Sequence, residues 1–64
     1  MNGTIKKIVG DKGFGFIVGE DGKEYFFHQS ALKNCRLTDL NVGRDVTFED
    51  AEGSKGPRAE DVYV

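Results

Sequence analysis

The stretch Lys12-Gly13-Phe14-Gly15-Phe16-Ile17 constrains the fold more than any other. Side chains alternate between the two faces of a β-strand, so Phe14 and Phe16 project from one side while Gly13, Gly15 and Ile17 take the other. A second run, Tyr25-Phe26-Phe27-His28, has the same period and offers two surfaces, Phe26 with His28 and Tyr25 with Phe27. Between the runs, Gly19-Glu20-Asp21-Gly22-Lys23 carries the Asp-Gly signal of a hairpin turn. One face of that hairpin brings Phe14, Phe16, Phe26 and His28 side by side. Such a cluster is either a core or a platform on which flat ligands stack.

The rest of the chain continues the strand pattern. Residues 3–9, rich in Thr4, Ile5, Ile8 and Val9, predict a strand before the turn Gly10-Asp11-Lys12-Gly13. Strands then follow over 14–18 and 24–28, as a meander. The segment 29–44 lacks alternation and is long for a loop. Leu32, Leu37, Leu40 and Val42 are expected to dock on an open barrel end, with at most a helical turn at Ser30-Ala31-Leu32. A fourth strand is expected over 45–50, with Val46 and Phe48 on its buried face. A polar loop over 51–56 leads to Pro57, which belongs at a strand entrance or edge. A fifth strand over about 58–64 buries Ala59 and some of Val62, Tyr63 and Val64.

Five short strands with almost no helix, in a chain of 64 residues, predict an all-β barrel, closed or nearly so. A barrel has one interior, so Tyr25 and Phe27 cannot share it with Phe26 and His28 on the opposite face of the same strand. The economical arrangement turns Tyr25, Phe27 and Ile17 inward and leaves Phe14, Phe16, Phe26 and His28 outside. Neither a linker nor an internal repeat is visible, and residues 1–64 read as one domain.

One cysteine, Cys35, and one histidine give no internal disulfide and no usual zinc ligand set. No metal or cofactor is therefore expected, and the core must hold alone in a domain small enough to be marginally stable. The apolar runs are too short for a membrane-spanning helix, and Met1 is not followed by the regions of a signal peptide. A cytoplasmic setting without membrane partners is expected. Catalysis fits poorly: the lone cysteine and histidine have no evident partner geometry, and Gly13-Phe14-Gly15 is followed by Val18 instead of a third phosphate-loop glycine.

Exposed rings beside lysines are the physical pattern for single-stranded nucleic acid. Every base has a π face, so rings hold bases with little sequence preference while ammonium groups track phosphates; each stacked base contributes about 1–3 kcal/mol. The net charge of −2 is unlike a generic phosphate binder, yet Lys6, Lys7 and Lys12 lie on or beside the aromatic strands. Asp45, Glu49, Asp50 and Glu52 crowd a later segment.

Lys12-Gly13-Phe14-Gly15-Phe16-Ile17 resembles the first ribonucleoprotein motif of cold-shock domains, and Tyr25-Phe26-Phe27-His28 with Ser30-Ala31-Leu32 resembles the second. Val46-Thr47-Phe48-Glu49 and Lys55-Gly56-Pro57-Arg58-Ala59 with Val62 are similar to that family's last two strands and the loop joining them. The likeness runs end to end without a gap. It implies a five-stranded antiparallel barrel of the oligonucleotide/oligosaccharide-binding (OB) type that binds single-stranded RNA or DNA with low sequence specificity. An RNA chaperone or gene-expression regulator, monomeric, is the corresponding role. Phe14, Phe16, Phe26 and His28 match the family's stacking residues. Lys6, Lys12 and Lys55 match its basic positions, and phosphate contact is their implied role. Glu24 stands where many members carry Asp, with a base-edge hydrogen bond as its implied contact.

The chain also departs from that pattern. Where the family shows Lys-Trp-Phe-Asn, it has Lys6-Lys7-Ile8-Val9; Gln29 stands for a phenylalanine, and Leu37 for an aromatic in the long loop. Missing platforms, at about 1–3 kcal/mol per base, predict weaker affinity, partly restored by phosphate attraction to Lys7 with steeper salt dependence. They also motivate a competing reading: a protein-interaction barrel with weak or lost nucleic-acid binding, using Phe14, Phe16, Phe26 and Ile8 as an apolar docking patch.

Overall fold

The computed structural model describes residues 1–53 and 56–64. Its strands are β1 (Asn2–Val9), β2 (Phe14–Gly19), β3 (Glu24–His28), β4 (Asp45–Gly53) and β5 (Gly56–Tyr63), with short 3₁₀ turns at Gln29–Ala31 and Leu37–Asp39. They form a closed barrel in the order β1-β2-β3-β5-β4, the all-β OB architecture read from the sequence. One detail of that expectation is corrected. The barrel is not wholly antiparallel, because β3 and β5 pair in parallel through Phe26 and Arg58. The reason is parity. The β1–β2, β2–β3, β1–β4 and β4–β5 pairs are all antiparallel, which points β3 and β5 the same way when the fifth side closes.

The inner face is set by the alternation of β2 and β3. Ile17, Tyr25 and Phe27 are buried, with Ile17 and Phe27 fully so, and they meet Ile5, Val46 and Phe48 from the neighbouring strands in one core. Gly15 makes this possible. A Cβ built there would lie 2.7 Å from the Phe27 ring and 2.5 Å from the Lys7 carbonyl oxygen, so a side chain at Gly15 would push β1 and Phe27 apart. In β5, Ala59 and Val62 are both buried although three residues apart. An irregularity in the β4–β5 register, between Thr47↔Tyr63 and Glu49↔Glu60, breaks the alternation. Asp61 within it has a left-handed φ of 49°. Tyr63 and Val64 consequently stay exposed.

The expected polar loop over 51–56 is shorter than its composition suggests. β4 continues to Gly53 and β5 begins at Gly56, with Glu52 opposite Pro57. Pro57 does sit at the strand's entrance. The segment between β3 and β4 packs as a cap: Leu37 and Leu40 are buried and Leu32 lies against the core. Val42 does not dock as expected; it is 66% exposed, one residue before Gly43, whose φ of 94° turns the chain toward β4.

Candidate nucleic-acid interface

The hairpin of β2 and β3 pairs Phe14 with His28 and Phe16 with Phe26. Residues opposite each other on adjacent strands share a face, so all four side chains emerge together on the barrel's outside. Each is half-buried. The three rings support one another: centroids of Phe14 and Phe26 are 5.4 Å apart, of Phe16 and Phe26 5.9 Å, and of Phe14 and Phe16 6.0 Å. The two contacts of Phe16 are edge-on, with interplanar angles of 87° and 70°, a favoured geometry for aromatic pairs. A triad held this way presents ring faces at several inclinations to whatever lies on it.

His28 is fixed at the end of the platform. Its Nδ1 accepts the Ser30 backbone N–H at 3.1 Å and lies 2.9 Å from the Ser30 hydroxyl. With Nδ1 used as an acceptor, the neutral ring carries its proton on Nε2, leaving a donor free to face a ligand. Gln29 follows, exposed, with its backbone N–H on the Gly13 carbonyl at 2.8 Å. Its side chain lies over Gly13, whose φ is 73°. The phenylalanine expected there by resemblance is thus replaced by an amide leaning on the β1–β2 turn.

On the other flank, β1 carries the lysines. The β1–β2 register slips between Ile5 and Lys7, leaving Lys6 as the extra residue of a bulge. After the slip Lys7 is opposite Phe16 and stands, exposed, on the aromatic face. Lys6 turns instead to Glu24 at 2.8 Å, so its ammonium is already paired. Lys12 is exposed in the β1–β2 turn, beside Phe14 in sequence. Lys55 lies outside the described residues.

The structure therefore brings together Lys7, Phe14, Phe16, Phe26 and His28, with Lys12 and the Lys6–Glu24 pair at the margins. Ile8 is not part of this face. It is opposite Gly15 and packs against the core, which removes it from the docking patch considered above. Leu37 is also buried, so the loop position at which an aromatic was expected faces the interior. Sequence reasoning passed over two basic residues near the platform. Arg36 lines a pocket of about 560 Å³ with His28, Gln29 and Cys35, and Arg58 is paired with Phe26. The Gly-Pro-Arg-Ala string signalled Arg58 on a strand, but the parallel closure that places it beside Phe26 has no local signature.

Burial, with Asp39 adding to it, pushes the Cys35 thiol up and keeps it protonated. Among the described residues no group of His, Cys, Asp and Glu could hold a metal, and no helix is long and apolar enough to cross a membrane.

Comparison with known proteins agrees with this geometry. The family model "'Cold-shock' DNA-binding domain" matches residues 1–64. Cold shock protein 2 of Lactiplantibacillus plantarum is 46% identical over 61 residues, covering 95% of this chain and 92% of the relative. Cold shock-like protein CspLB of Listeria monocytogenes is 45% identical over 62 residues, covering 97% and 94%. Cold shock protein CspD of Bacillus subtilis is 41% identical over 62 residues, with the same coverage.

Proposed function

Because this chain belongs to the cold-shock domain family, a nucleic-acid-binding family, we propose that it binds single-stranded RNA or DNA with low sequence specificity through the outer face of β1–β3. The observation that carries this reading is the triad of Phe14, Phe16 and Phe26, half-buried and outward, with Lys7 opposite Phe16. Phe14, Phe16, Phe26 and His28 stack two or three bases, each contributing about 1–3 kcal/mol. Lys7, Lys12 and Lys55 attract the phosphates, while Lys6 adds its charge from the margin, restrained by its pair with Glu24. Residues 1–64 act as a single domain and a monomer, without cofactor or metal.

The consequence is an RNA-chaperone or regulatory role in the cytoplasm. Bases held on the platform cannot pair, so binding draws weak secondary structure toward the open strand by mass action and needs no fuel. The competing role as a protein-docking barrel is less well supported, since the patch lacks Ile8 and its rings are interleaved with a histidine and a lysine.

Titration of short pyrimidine-rich and purine-rich oligonucleotides, single-stranded and duplex, at low and moderate salt tests the reading. Saturable binding to the single strands, weakened by salt and by Phe16→Ala or Phe26→Ala, is expected. Equal binding to duplex, or wild-type affinity in both alanine variants while they stay folded, would sink it.

A further inference from the structure

The platform described so far ends at β3, but the outer face of the barrel does not. β5 lies on the far side of β3 from β2, and the residue paired with Phe26 there is Arg58. Its neighbour Ala59 is buried in the core, so alternation directs Arg58 outward, on the same face as Phe26. It is exposed and takes part in neither ion pair of the described residues. Its stem leans across the neck of the β4–β5 hairpin: a Cβ built on Gly53 would lie 2.8 Å from the Arg58 Cδ. That path runs toward β4, on the side of β5 away from β3, so the guanidinium meets a base beside Phe26 by swinging back across β5.

Charge supports the placement. A strand entering over Lys7 on β1 crosses Phe16 on β2 and Phe26 on β3, and the next outward side chain at that level is a guanidinium. Guanidinium combines a flat, weakly hydrated plane, which stacks on a base, with a fork of donors matched to phosphate oxygens.

Resting on the single-strand reading above, we propose that Arg58 is a nucleic-acid-contacting residue that extends the platform from β3 onto β5. It lays its plane against the base that follows the one on Phe26 and pairs with that nucleotide's phosphate. β5 thereby supplies a site that compensates in part for the ring missing at Lys7.

The test compares wild-type protein, Arg58→Ala, Arg58→Lys and Phe16→Ala, each titrated with a dinucleotide and a hexanucleotide over a range of salt. Arg58→Ala is expected to weaken hexanucleotide binding about tenfold and to make the log–log salt slope shallower by about 0.7, the contribution of one phosphate on a single strand. The dinucleotide, which can occupy Phe16 and Phe26 without reaching β5, should lose less. Arg58→Lys should restore the slope but only part of the affinity. Wild-type affinity and slope in Arg58→Ala, with Phe16→Ala still impaired, would overturn the proposal while leaving the platform standing. Full rescue by lysine would overturn the planar contact. Failure of the underlying reading looks different: the wild-type protein itself would not bind the hexanucleotide at low salt. Urea midpoints of the variants, expected to match wild type because Arg58 is exposed, separate lost contact from lost fold.

Discussion

The two faces of the β2–β3 hairpin use the same kinds of side chain for opposite ends. Inward, Ile17, Tyr25 and Phe27 are buried to 4% exposure or less, each closed over by residues from other strands. Outward, Phe14, Phe16 and Phe26 touch mainly one another and stay half-open. The chemistry of phenylalanine does not distinguish them. What does is the company: glycines and apolar strands on one side, lysine, histidine and solvent on the other. The same substitution should therefore be read as stability on one face and as affinity on the other.

Phe27→Ala gives the largest effect. Removing a fully buried ring leaves a cavity and costs about 3–5 kcal/mol, a large part of the roughly 5–15 kcal/mol that holds a domain together. Urea denaturation should show a midpoint far below that of the wild type. If Phe27→Ala unfolded no more readily than Phe16→Ala, the division between faces would be wrong. Phe16→Ala is its counterpart, expected to change the urea midpoint little and to lower single-strand affinity by about 1–3 kcal/mol.

A gain on the outer face is also open to test. Lys7 faces the same way as Phe16, so Lys7→Trp adds a ring to the platform without entering the core. Affinity should rise by about 1–3 kcal/mol, while the salt slope becomes shallower by about 0.7 as one phosphate partner is lost. A drop in affinity instead would mean that the Lys7 charge matters more than a ring at that place.

Much of this division was legible before any coordinates. The period-two pattern of Phe14-Gly15-Phe16 against Tyr25-Phe26-Phe27-His28, with the limit of a single interior, assigned the faces as they are observed. On β5 the sequence reading placed Ala59 and some of Val62, Tyr63 and Val64 inside, and alternation could not choose among the last three; the register irregularity at Asp61 turns Val62 inward with Ala59. A bulge is a property of two strands and leaves no trace in one. Val42 was misplaced because apolar character alone argued for burial, whereas the turn at Gly43 decides where it points. The sequence set Lys6 at a basic position of the family and Lys7 at a missing ring, but only the slip of register shows that one turns to Glu24 and the other to the rings. Arg58 was invisible as a neighbour of Phe26, since closure of the barrel joins residues far apart in the chain.

The inner face has a titratable marker. The Tyr25 hydroxyl donates to Asp21 Oδ2 at 2.6 Å, and this bond, with burial and the Asp21 charge, raises its pKa from 10.0 to about 12. The tyrosine is neutral in the fold, so its contribution to stability is complete below its unfolded value and disappears as pH climbs through about 12. The same bond, followed by the Lys23 backbone N–H, holds the Asp21 carboxyl below its ordinary 3.8. That contribution is complete above the ordinary value and is lost as pH falls through the depressed one. Tyrosinate absorbance should therefore show a late phase that Tyr25→Phe removes. The same variant should flatten the acid limb of stability by taking away the leading cause of the Asp21 shift.

The smallest effect belongs to the outer face and sharpens the contrast most. Lys6 and Glu24 make an ion pair at 2.8 Å, but their side chains are 59% and 47% exposed, and exposed pairs contribute about 0.2–1 kcal/mol. A double-mutant cycle on Lys6→Ala and Glu24→Gln should return a stability coupling in that range. Binding should respond in the other direction. Glu24 occupies the ammonium that would otherwise meet a phosphate, so Glu24→Gln frees Lys6 and steepens the salt slope by up to about 0.7. Were Glu24 instead a base-edge acceptor, the same substitution would lower affinity at every salt concentration and leave the slope unchanged. The salt series thus tells a restraint on Lys6 from a direct contact with the base, on a face where stability measurements alone would register almost nothing.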